Sequence, residues 1–77
     1  MKGFEGVYAL NASFKLTIKS EGDHLSTQAT GQGSVRVEPM TPTRFFNDSI
    51  NAEIEFEKDG SALTLYQNGA VMKFKRE

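Results

Sequence analysis

Apolar and polar residues alternate with a period of two over most of the chain, the spacing of strands with one buried face. The last hairpin shows it most clearly. Leu63-Thr64-Leu65-Tyr66-Gln67 alternates, Asn68-Gly69 interrupts, and Val71-Met72-Lys73-Phe74-Lys75 runs back. Asn-Gly fits a type I′ turn, which needs positive φ at both central residues. Phe14-Lys15-Leu16-Thr17-Ile18-Lys19 alternates as cleanly, with Phe14, Leu16 and Ile18 predicted inward. Leu25, Thr27 and Ala29 form a weaker inner set, and Val35 and Val37 share a face. Ala52, Ile54 and Phe56 are predicted inward against outward Glu53, Glu55 and Glu57. At the start, Phe4, Gly6, Tyr8 and Leu10 are predicted to share one face. Gly6 there marks a bulge or a place where another group packs closely.

Turn signals separate these segments at Asn11-Ala12-Ser13, Glu21-Gly22-Asp23, Gly31-Gln32-Gly33, Asn47-Asp48-Ser49 and Lys58-Asp59-Gly60. Pro39 has no N–H to give a ladder and ends its strand. No segment sustains helical apolar spacing for three turns, so no substantial helix is expected. About eight short strands with short connections predict an all-β fold, an antiparallel up-and-down meander. Sheet twist curls such a meander into a small barrel or a strongly curved half-barrel, with a two-sheet sandwich as the alternative. If the first and last strands meet, Glu5 and Val7 are expected near Lys73 and Lys75. Without closure, the open edges favour dimerisation.

With 77 residues, the chain is read as a single small domain over 1–77, a mature domain or an excised piece of a longer protein. A net charge of −1 argues against a nucleic-acid partner, which needs a strongly basic face. Without cysteine, disulfides and thiolate metal sites are excluded. No apolar run approaches the roughly 20 residues of a membrane-spanning helix. Met1-Lys2-Gly3-Phe4 enters a strand-like pattern at once, with no apolar leader. Six Phe in so short a chain predict a filled interior.

Phe4-Glu5-Gly6-Val7-Tyr8, Phe14–Ile18, Arg44-Phe45-Phe46, Ile54-Glu55-Phe56 and Leu63-Thr64-Leu65-Tyr66-Gln67-Asn68-Gly69 follow in that order. This resembles the small lipocalin-like β domain, of unknown function, at the C-terminus of β-lactamase-related serine hydrolases. The similarity covers nearly the whole chain, and its motifs are structural. Two departures are Phe4, where Tyr is common, and Tyr66, where His is common. The resemblance implies a non-catalytic accessory domain that docks on or stabilises a host catalytic domain. It further implies an exported, periplasmic or extracellular, bacterial protein.

Candidate chemistry is sparse. Tyr66-Gln67-Asn68 matches the Tyr-x-Asn element of β-lactamase-type sites, yet the chain has neither Ser-x-x-Lys nor Lys-Thr-Gly to supply nucleophile and base. His24 follows Asp23, which could orient it, but no Gly-x-Ser-x-Gly elbow accompanies it. Glu53, Glu55 and Glu57 recur about 6.5–7 Å apart along a strand and read as a solvated face with cations on neighbouring strands. Gly31-Gln32-Gly33 lacks the third Gly of a dinucleotide loop. No catalytic residue, metal site or cofactor is expected. Phe45-Phe46 breaks alternation, through a bulge that buries both rings or because one ring stays outside to anchor a partner. Phe45, Phe46 and Tyr66 are therefore the candidate interaction surface. A barrel interior holding a small hydrophobic ligand is the alternative function.

Overall fold

The alternation resolves into eight antiparallel strands: β1 (Gly6–Asn11), β2 (Phe14–Ser20), β3 (Leu25–Ala29), β4 (Ser34–Pro39), β5 (Arg44–Asn47), β6 (Ala52–Phe56), β7 (Ala62–Gln67) and β8 (Ala70–Arg76). Each pairs with its sequence neighbours, and β1 pairs with β8, so the meander closes into a barrel. This is a computed structural model that describes residues 2–77. Met1, predicted to begin a strand-like segment, lies outside the described residues, and Lys2–Phe4 form a 3-10 turn instead of extended chain. Among the described residues no helix is long and apolar enough to cross a membrane.

Closure rules out the half-barrel and the sandwich. At the seam Tyr8 faces Arg76 and Ala9 faces Lys75. The Glu77 N–H then donates to the Val7 carbonyl at 2.8 Å. The expected meeting of Glu5 and Val7 with Lys73 and Lys75 is thus displaced along the strands. Glu5 instead accepts a hydrogen bond from the Ser20 N–H at 2.8 Å. Pairing of the two edge strands weakens the backbone argument for dimerisation.

The inward sets hold in β2, β3, β6 and β7: Leu16, Ile18, Leu25, Thr27, Ala52, Ile54, Phe56, Leu63 and Leu65 are all buried. Leu10 does not join them. The pairing of β1 with β2 slips between Ala9 and Asn11, and the odd residue turns outward, leaving Leu10 39% exposed. The last turn has the predicted conformation, with φ of 51° at Asn68 and 85° at Gly69.

An up-and-down topology sends alternate turns to opposite ends of the barrel, and the two ends are built differently. At the end where the chain enters, Phe4 stacks on Phe56 (centroids 4.3 Å apart) and meets Phe45 edge-on at 6.4 Å. The Tyr8 hydroxyl donates to the Phe4 carbonyl at 2.9 Å. Arg76 lies across this plug and donates to the carbonyls of Gly3 (2.9 Å), Gly60 (3.3 Å) and Glu5. A Cβ on Gly6 would stand 3.1 Å from its Nε and 3.3 Å from its Nη2, a tight contact, and the φ of 146° at Gly6 is one that a side chain strains. The opposite end carries the turns around Ala12, Gln32, Ser49 and Asn68, and has no such plug.

Candidate functional site

Pairing decides which predicted surface residues reach the surface. Phe45 pairs with inward Ile54 and is 1% exposed, so it belongs to the core and leaves the candidate interaction surface. No bulge occurs in β5; the next residue, Phe46, simply points out. Phe46 pairs with Glu53, Glu53 with Tyr66, and Tyr66 with Val71. Directly paired residues share a face. The outside of β5–β8 therefore carries a row of Phe46, Glu53, Tyr66 and Val71, the last 65% exposed. Of the eight aromatic side chains, Phe4, Tyr8, Phe45, Phe56 and Phe74 are buried and Phe14 packs against the core. The two that face outward, Phe46 and Tyr66, are both in this row.

Arg44 organises the row. Its Nη2 lies 2.7 Å from Glu53 Oε1, its Nη1 3.2 Å from Glu55 Oε1, and its guanidinium carbon 4.8 Å from the Tyr66 ring centre. Hydrogen bonding to Glu53, then to Glu55, holds the guanidinium above the ordinary arginine range. Thr43 donates to Glu55 Oε2 at 2.5 Å. Glu53 and Glu55 are thus tied to a cation on the neighbouring strand, while Glu57 lies just past β6 with its Oε2 3.9 Å from Lys73 Nζ. Among the described residues, no group of three or more His, Asp or Glu side chains is gathered to hold a metal ion. Two shallow grooves border the row. One, of about 320 Å³, runs past Arg44, Asn51, Glu53, Tyr66, Asn68 and Val71. The other, of about 270 Å³, lies between Phe46, Arg36 and Ser49.

His24 sits apart, in the turn between β2 and β3. Its Nδ1 is 3.0 Å from Asp23 Oδ1, and that hydrogen bond holds the Asp23 carboxyl below the usual carboxylate range. Among the described residues the ring bonds neither Ser20 nor Ser26.

The interior departs from the expectation that six Phe would fill it. The open half of the barrel interior holds a cavity of about 90 Å³. The prediction of a filled interior holds at the plugged end only. Phe46 is outside, and the inward positions around the cavity include the small side chains Thr27, Ala29, Val35 and Ala52. Those residues were visible in the sequence; that Thr27, Ala29 and Val35 of β3 and β4 line one space with Ala52 of β6 was not.

Comparison of the chain with protein-family models, with curated proteins and with solved structures gives no match.

Proposed function

We propose that this chain is a non-catalytic accessory domain that docks on a larger, serine hydrolase-like protein through the outer face of β5–β8. The aromatic row carries the reading. Closure pairs the first and last strands at Tyr8–Arg76 and Ala9–Lys75, which limits the free edge for strand addition and favours association through side chains. Both outward aromatics stand on one face, Tyr66 held by Arg44, with grooves on either side. Aromatic and Arg side chains dominate binding energy at interfaces. The choice of host rests on the resemblance in Phe4–Tyr8, Arg44–Phe46 and Leu63–Gly69. In the fold, much of that stretch serves as plug, core and turn, which suits motifs that identify an architecture and not a reaction.

The test is calorimetric titration of the chain with the β-lactamase-related serine hydrolase domains encoded in the same genome. One of them is expected to bind, and Tyr66→Ala to weaken it at least about tenfold, the usual cost of losing an interface anchor. The chain alone is expected to leave ester, β-lactam and peptide reporters intact. Absence of binding to every such domain contradicts the proposal. So does turnover by the isolated chain that disappears on changing His24 or Tyr66.

A further inference from the structure

The two outward aromatics of the β5–β8 face are equipped differently. Tyr66 carries a cation: the Arg44 guanidinium lies 4.8 Å from its ring centre and is held there by Glu53 and Glu55. Phe46 is paired with a carboxylate on each side, Glu38 on β4 and Glu53 on β6. Exposed Asp48 stands two residues further on, and among the described residues its carboxylate forms no ion pair. The groove of about 270 Å³ beside Phe46 is lined by Glu38, Asp48 and one cation, Arg36, which is already bonded to Glu38. Its wall is fixed, because the Asn47 side-chain amide donates to the Arg36 carbonyl at 2.7 Å and accepts from the Ser49 N–H at 2.8 Å. Phe46 therefore has the ring and the carboxylates that hold a guanidinium at Tyr66, yet among the described residues no arginine of this chain lies over it.

We infer that this groove receives an arginine side chain of the docking partner, its guanidinium over the Phe46 ring and its N–H groups on Asp48 and Glu38. The inference rests on the reading of β5–β8 as the docking face and names what the partner presents to it. A cation is drawn to the face of an aromatic ring, and two carboxylates against one guanidinium leave the groove with negative charge in excess. Arginine fits better than lysine, because its plane stacks on a ring and its five donors serve two carboxylates. Its methylene stem lies along apolar surface while the charged head stays in water. An acidic side chain is repelled by Glu38 and Asp48.

N-acetylarginine amide is the probe and N-acetylcitrulline amide, neutral and of nearly the same shape, the control. Both are titrated at matched ionic strength into the isotope-labelled whole chain and followed by amide NMR. The arginine compound is expected to give saturable shifts centred on Glu38, Phe46, Asp48 and Ser49, with a dissociation constant on the order of 10 mM for so few exposed contacts. The citrulline compound is expected to bind at least about threefold more weakly. Phe46→Leu keeps an apolar side chain and removes the ring, and is expected to weaken the arginine compound about two- to fivefold. Equal shifts from the citrulline compound, shifts that do not saturate, or unchanged affinity in Phe46→Leu overturn the inference. Failure of every serine hydrolase domain to bind overturns the docking reading instead, and this titration still decides whether the groove takes a guanidinium.

Discussion

Arg76 Nη1 lies 2.9 Å from the Gly3 carbonyl, joining the end of the last strand to the turn that precedes the first. The same side chain reaches the carbonyls of Gly60 and Glu5 and lies over the Tyr8 ring, 5.6 Å from its centre. A planar guanidinium spreads five N–H donors over a wide fork; a lysine ammonium has three donors on a single nitrogen and reaches fewer of these separated carbonyls. Arg76→Ala is expected to cost about 1.5–3 kcal/mol, the range for hydrogen bonds to a charged group, with Arg76→Lys recovering the smaller part. Urea unfolding checks this: the midpoint falls while the slope stays constant.

Gly60 lies under that clamp. Its φ is 75°, and a Cβ there would stand 2.8 Å from the Gly3 carbonyl oxygen and 2.7 Å from Arg76 Nη1. Gly22 has a similar φ of 81° but open space around it. Gly22→Ala is expected to cost about 1 kcal/mol for backbone strain alone. Gly60→Ala is expected to cost at least about 1 kcal/mol more, because a carbonyl and the clamp must both shift. Equal losses in thermal unfolding contradict the tight packing described for this end.

Tyr8 makes the plug sensitive to alkali. Burial raises its phenol above the ordinary tyrosine range, and nearby Arg76 opposes that only in part. The folded state therefore holds the proton to a higher pH than the unfolded chain does. This contribution is complete below the unfolded value of about 10 and is lost as pH rises from there through the folded value. Tyr8→Phe is expected to abolish this alkaline loss. Near neutrality it is expected to cost about 0.5–1.5 kcal/mol for the lost bond to the Phe4 carbonyl. Stability measured against pH for both proteins, with phenolate absorbance, checks the sign.

At the acid end the order reverses. Hydrogen bonds from His24 to Asp23 and from Ser61 to Asp59 hold both carboxyls below the usual range. Their stabilisation is present above the unfolded value of about 4 and is lost as pH falls through the lower folded values. Asp59→Asn is expected to flatten stability against pH on the acid side of 4, seen in urea midpoints across that window.

Much of the barrel was legible because period-two patterning in β2, β6 and β7 reports directly which side chains are inside. Phe14, Leu16 and Ile18 needed nothing more. Leu10 misled, since a bulge shifts the face of every residue beyond it and leaves no mark in an apolar strand. Phe45 and Phe46 look alike in sequence, and only pairing with Ile54 and Glu53 separates core from surface. The Arg76 clamp joins residues from the two ends of the chain, beyond the reach of any local pattern. Tyr66 was legible as a surface residue from the alternation of β7. Its partner Arg44 came from register alone.

The outer face of β5–β8 is the proposed docking face. Amide-shift mapping of the isotope-labelled chain, titrated with the serine hydrolase domain that binds it, addresses that most directly. Changes are expected to concentrate at Arg44, Phe46, Glu53, Tyr66 and Val71, with Lys19, Ser26 and Gln28 on the outside of β2 and β3 little changed. Changes centred on β2 and β3, or none at saturation, contradict it.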